Sequence, residues 1–407
     1  MTGRDNVGVP PGDGLGARVR AARTARGLSR EAVAALCGRS EEWLRLIERG
    51  KRGTSLRMLA KLADVLRVRD LGELLGEHAP AAVYVRPEHP ALGEIRRAVV
   101  AFGPVAEDMA PSPADLRARV RYAWRRRSAS HRDRTDLAAV LPGLMVDAQR
   151  AARAGRSPAK RRTAHRVLAE VYHLGQLYLC YQDAAELLWV VVDRAMAAAV
   201  ESDSPAAVGR AAWFSAYLYR DFGQLDQAHQ VVDDALRHLR GAPEQTGELL
   251  RQRSTVHLAE AWNHARESRS ALAWRAWDAA VDARRESGLP DPPDALFGAT
   301  VEDVALTLDV ELGKATSAAR RAEAVDIGAV ASTPRRARLA IEASRGLMLR
   351  RDYTGAVYLL RRAYETSPEA TLFSMHARAM AAELLGRTGP LLRGDVADLA
   401  DKLGVAA

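Results

Sequence analysis

The chain has 407 residues, with 60 Lys and Arg against 51 Asp and Glu, a net charge of +9, 48% apolar residues and only 5% aromatic ones. That length allows two or three domains around a large buried core. No run of about eighteen apolar residues occurs, which excludes a membrane span of the hydropathy type.

The charge is uneven. Residues 1–76 hold 15 Lys and Arg against 9 Asp and Glu, and the rest of the chain holds 45 against 42. A surface for a polyanion therefore belongs to the first fifth of the chain. Abundant Ala and Leu favour helix throughout. Residues 1–13 read as a disordered arm whose one cation is Arg4. The arm lacks the basic-then-apolar order of a signal peptide. Cys37 and Cys180 lie far apart in helical patterns and read as buried, reduced thiols of a cytoplasmic protein.

Residues 14–76 carry five short helical patterns. Leu15, Val19 and Ala22 recur at helical spacing. Ser29 is a good N-cap with Glu31 in the first turn; Ala32, Val33 and Leu36 supply an inward stripe, and Gly38 ends that helix. Ser40 caps the next helix and Gly50 ends it. There Leu44 and Ile47 face inward with Trp43 as a core plug, while Glu42, Arg45, Leu46 and Arg49 fall on the outer side. Leu56, Leu59, Leu62, Ala63 and Leu66 form a further stripe. A short helix after a glycine turn, with arginines on its outer face, suits a DNA major groove.

The segment GLSREAVAALCGRSEEWLRLIERGKR, followed by SLRMLAKLADVL, resembles the XRE-type, lambda-repressor-like helix-turn-helix family. The resemblance implies a five-helix DNA-binding domain. Carried over by position, it places Arg30 on phosphate, Ser40, Glu41 and Glu42 at the start of the recognition helix, and Lys51 and Arg52 on the DNA backbone. Arg45 becomes the candidate guanine contact, Arg49 a phosphate or base contact, and Glu42 an acceptor for a cytosine amine. Glu41 and Glu42 depart from the family pattern. Glu41 sits where the helix dipole favours an anion and can pair with Arg45 at i+4.

Residues 77–90, with three prolines, read as a semi-extended linker. From residue 91 to 407 every segment reads as helix, beginning with 91–102, 113–128 and 133–154 and continuing as helix pairs. Small residues recur seven apart in the second helix of each pair: Ala228 with Ala235, Ala273 with Ala280, and Ala356 with Ala363. Leu188 with Ala195 and Ala318 with Val325 are weaker copies. Such a period near forty means an α-solenoid. It resembles tetratricopeptide (TPR) arrays, with a longer repeat and a patchy glycine signature. The whole chain reads as all-α: a helix-turn-helix head followed by a TPR-like solenoid. That combination resembles a class of actinomycete transcriptional regulators and parallels peptide-sensing quorum regulators. The resemblance implies that the solenoid senses a peptide or small molecule. The open ends of the stack are the expected surface for a homodimer.

Tyr178, Tyr181, Trp189, Trp213, Tyr217 and Trp262 are the candidate effector-binding residues, set against simple inter-helix packing. His257, Glu260 and His264 share one helical face, but no second cluster supplies further ligands, so no metal or cofactor is expected. No phosphate loop, nucleophile elbow or paired-Cys motif occurs, and the chain reads as a non-enzyme. The favoured function is a sequence-specific DNA-binding regulator; the alternative is an adaptor whose solenoid docks a partner and whose head binds DNA weakly or not at all.

Overall fold

A computed structural model describes residues 14–52, 54, 56–68, 73–74, 87–101, 111–154, 157–289 and 301–405. The expected arm, residues 77–86 of the linker and most of the fifth head helix lie outside the described residues. All regular structure among the described residues is helical.

The head contains α1 (Leu15–Ala25), α2 (Arg30–Leu36), α3 (Glu41–Glu48) and α4 (Leu56–Val65). Ser29 Oγ accepts from the Ala32 amide (3.0 Å) and Ser40 Oγ from the Trp43 amide (3.2 Å), so both helices begin at the expected caps. Gly38 and Gly50 take left-handed conformations (φ +68° and +64°) that end α2 and α3. Val19, Val33, Cys37, Trp43, Leu44, Ile47, Leu59, Leu62 and Leu66 close the core. Two outward–inward assignments change. Leu36 is 60% exposed, because Val33, Ala34 and Cys37 already fill the inner face of α2. Leu46, expected on the outer face, is buried.

The body opens with α5 (Leu92–Val99), α6 (Pro113–Ala129), α7 (Asp133–Ala138) and α8 (Leu141–Ala154). Five antiparallel pairs follow: α9 (Pro158–Leu179) with α10 (Ala185–Glu201), α11 (Pro205–Asp221) with α12 (Leu225–Arg240), α13 (Gly247–Arg266) with α14 (Ser270–Glu286), α15 (Val301–Glu311) with α16 (Ala315–Ala324), and α17 (Thr333–Leu349) with α18 (Tyr353–Thr366). The short α19 (Pro368–Leu372), α20 (Met375–Arg387) and α21 (Pro390–Lys402) end the chain. The small residues read from the repeat are buried, apart from the half-buried Val325. Their size lets neighbours reach the main chain: Ser254 Oγ donates to the Ala280 carbonyl (2.8 Å) and Ser344 Oγ to that of Ala356 (2.9 Å).

Each pair turns through one left-handed residue: Tyr181, Gly223, Ser268, Gly313 and Arg351. Glycine fills only two of these five places. The array also curls back on itself. Glu369 in α19 accepts from the Arg134 and Thr135 amides of α7 (2.8 and 3.1 Å), Ser367 Oγ donates to the His131 carbonyl (3.0 Å), and the Arg134 guanidinium lies 4.3 Å from the Phe373 ring centre. The N-terminal end of the stack, expected to be open, is therefore partly covered by α17 and α19. Pro87–Pro90, expected as linker, belong to the body: His89 is buried, its amide donates to Gln182 (2.9 Å) and its ring bonds the Tyr178 hydroxyl (2.9 Å).

The interior holds a histidine with a consequence for acid stability. His173 is 1% exposed and stacks on Phe214 at 4.5 Å. Burial, helped by the positive Arg210, holds its pKa well below the ordinary value, so it is neutral in the fold. The unfolded chain protonates it near pH ~6.5. Below that pH the unfolded state takes up a proton that the folded state refuses, and stability falls as pH falls, by at most about 1.4 kcal/mol per pH unit for one group. Thermal melts of the His173→Gln chain are expected to depend less on pH between about 6.5 and 5 than those of the unsubstituted chain. Parallel pH profiles would remove His173 from the account.

Candidate nucleic-acid interface

Glu48, at the last turn of α3, is the pivot of the head. It is 8% exposed and receives Arg23 from α1 (2.5 Å) and Arg30 from α2 (2.7 Å). Burial pushes its carboxyl up, but the bonds from Arg23 and Arg30 outweigh that and hold it below the ordinary value. Three helices are fixed by one carboxylate. Arg30, the expected phosphate contact, is thereby tied down, although its side chain remains 35% exposed.

On the outer side of α3, Arg45 pairs with Glu42 through two bonds (2.5 and 2.6 Å), not with Glu41 as expected. Both members of this i,i+3 pair stay about two-fifths exposed. Glu41, Arg49 and Lys51 are exposed.

The remaining expected DNA contacts meet the body. The head rests on three consecutive hairpin turns. At the first, Arg39 reaches the Gly223 carbonyl (3.5 Å). At the second, Ser40 Oγ donates to the Glu267 carbonyl (3.1 Å), while Arg52 donates to Ser268 Oγ (2.6 Å) and to the Arg266 carbonyl. At the third, Leu46 and Lys51 pack over Gly313 so closely that a Cβ there would stand 3.3 Å from Leu46 Cδ2 and from the Lys51 carbonyl oxygen. This contact buries Leu46, which takes no part in the head's own core.

Arg52 is 8% exposed and lies 3.8 Å from Glu311. Glu311 also receives Arg266 (3.3 Å) and Arg345 (3.0 Å). Burial lowers the Arg52 pKa to about 9 against the pull of Glu311. Burial likewise pushes the Glu311 carboxyl up, and its three arginines overcome that and hold it far below the ordinary value. Nothing in the sequence around Arg52 distinguishes a side chain aimed at DNA from one aimed at a glutamate 259 positions later.

The six candidate effector residues divide. Tyr181, Tyr217, Trp213 and Trp262 come together: the two tyrosine hydroxyls bond each other, Tyr217 and Trp262 lie 6.4 Å apart, and Trp213 lies 6.5 Å from Trp262. Arg220 sits 4.3 Å over Trp262 and is held by Asn263 (2.8 Å). Burial pushes the Tyr181 hydroxyl up to about 12 and lowers Arg220 to about 10. Tyr178 is fully buried against His89, and Trp189 packs elsewhere, on Tyr219 and Phe222. His257 pairs with Glu260 at 2.8 Å instead of joining His264 in a ligand set.

A reading helix held between two capped turns, an arginine-bearing outer face and a local excess of cations define a helix-turn-helix head. Residues 14–75 match the helix-turn-helix domain family, the class of a DNA-binding regulator. No curated protein matches the chain. No described helix is long and apolar enough to cross a membrane.

Proposed function

We propose that the protein is a cytoplasmic, sequence-specific transcriptional regulator: an XRE-type head that reads duplex DNA, on a TPR-like body that dimerises, senses a peptide or small molecule and controls the head. The observation that carries this reading is the pair of tethers on the reading helix, Ser40 to Glu267 at its start and Arg52 to Ser268 and Arg266 just beyond its end. The major groove is about 12 Å wide, and its walls rise on both sides of an inserted helix. Hairpin turns within hydrogen-bond distance of both ends of α3 occupy that space. DNA binding and docking therefore exclude each other, and whatever favours release switches the head on. The aromatic group of Tyr181, Tyr217 and Trp262 with Arg220 is the place for an effector with an apolar and an anionic part.

Binding assays on the full chain test the DNA contacts. Lys51→Ala is expected to weaken binding to all duplexes alike and to reduce the salt dependence by about one log–log unit. Arg45→Ala is expected to cost about 1–3 kcal/mol at a single base pair. If every base substitution in the site loses the same amount in the Arg45 variant, Arg45 is a backbone contact. A chain with no salt-dependent affinity for any duplex favours the adaptor reading, which Glu41 and Glu42 on the reading helix support.

A further inference from the structure

We propose that His229, His264 and Glu267 form a site for a divalent transition metal ion of the zinc type, placed beside the turn that carries the head. His264 closes the last turn of α13 and Glu267 follows it three positions on, so the two side chains share a face; His229 comes from the neighbouring α12. One ligand atom from each residue lies within 4.8 Å of the other two. His229 Nε2 and Glu267 Oε2 are 2.9 Å apart, and the two imidazole rings are 4.7 Å apart. Of the sequence face of His257, Glu260 and His264 only His264 joins this cluster; its partners are Glu267, three positions on, and His229, on another helix 35 positions earlier.

Two histidines and a carboxylate are the donor set of a three-ligand zinc site with an open fourth position. Imidazole nitrogen favours the later first-row metals over calcium or magnesium. His229 and His264 line an open cavity of ≈ 520 Å³ whose wall also includes Asp226, Asp233 and Glu260, with Arg237 and Arg269 beside them. Glu260 Oε1 lies 4.0 Å from His264 Nε2, while its other oxygen is held by His257. His264 Nδ1 is buried and has no hydrogen-bond partner among the described residues, so one ring nitrogen of the cluster is left to be satisfied. Arg269, about half exposed, competes for Glu267 at 3.2 Å, and a bound metal has to displace that ion pair.

The position ties the site to the head. The Glu267 carbonyl accepts from Ser40, and the next residue, Ser268, holds Arg52. A metal held between the Glu267 carboxylate and His229, in place of their hydrogen bond, fixes the turn on which both tethers depend. Metal affinity and head docking are then linked reciprocally. This linkage rests on the docking reading above; the metal site itself does not.

Titration of the full-length chain with Co²⁺, read by visible absorption, tests the site without reference to DNA. One equivalent with the d–d bands of a four- or five-coordinate ion is expected, displaced by Zn²⁺. His229→Ala and His264→Ala are each expected to weaken binding at least about tenfold, while His238→Ala, on the exposed face of α12, leaves it unchanged. Absence of these bands in the unsubstituted chain overturns the proposal, whatever the variants do. Equal binding in all four chains overturns it as well. Hydrogen exchange over residues 39–52, with and without Zn²⁺, reads the linkage: a changed rate supports it, and identical rates overturn it while the Co²⁺ spectrum still judges the site.

Discussion

The Arg52→Met chain is expected to bind duplex DNA about tenfold or more tightly than the unsubstituted chain. Arg52 in the family pattern is a phosphate contact, and its loss would then weaken binding by one charge. In the structure its guanidinium is spent on Ser268, the Arg266 carbonyl and Glu311. A hydrogen bond to a charged group contributes about 1.5–3 kcal/mol. If docking and DNA binding exclude each other, whatever docking loses appears as gain in DNA affinity, up to the point where the head is mostly free. A loss of about 1.4 kcal/mol is already tenfold. Met keeps the aliphatic volume of the arginine stem, and Glu311 keeps Arg266 and Arg345, so the body is not left with an unpaired buried carboxylate. Fluorescence anisotropy with one duplex at several salt concentrations separates the two accounts by sign. Weaker binding together with a salt slope reduced by about one would return Arg52 to the phosphate backbone and end the docking argument.

What the sequence carried legibly was local. The caps at Ser29 and Ser40, the turns at Gly38 and Gly50 and the small-residue pairs such as Ala228 with Ala235 are set by backbone chemistry a few residues wide, and they stand where the pattern put them. What it hid was long-range. Leu46 and Arg52 sit on the solvent side of the head's own periodicity, and only the turns at Ser268 and Gly313 give them another role. The same holds for the aromatic candidates: Tyr181, Tyr217 and Trp262 converge because the turn after α9 and the side-by-side helices α11 and α13 meet there, whereas Tyr178, three residues before Tyr181, points into the core. His229 carries no signal of its own, since a single histidine on a helix is compatible with any surface. Leu36 failed for a different reason: on a seven-residue helix one residue of register, about 100°, decides the inner face, and Cys37 took it.

Gly16→Ala is expected to disrupt the head, although alanine is the better helix former. In an exposed helix that change is worth up to about 1 kcal/mol of stability. At Gly16 the new Cβ would stand 2.2 Å from the Ile47 carbonyl oxygen and 2.8 Å from that of Glu48. Both atoms are main chain in the last turn of α3, so no side chain can swing away; α1 or α3 must move. Overpacking typically costs about 1–3 kcal/mol, and a clash with backbone lies at or beyond the upper end. Clash therefore exceeds propensity by a wide margin. The movement also separates Arg23 on α1 from Glu48, which leaves a buried carboxylate with Arg30 alone. Gly143→Ala supplies the contrast, since it too lies inside a helix but a Cβ there meets nothing within 4 Å. Thermal melts should show the Gly143 variant unchanged or up to about 1 kcal/mol more stable, and the Gly16 variant with an early transition and fast hydrogen exchange across residues 15–48. If both variants melt alike, the close approach of α1 to the reading helix does not hold the head together.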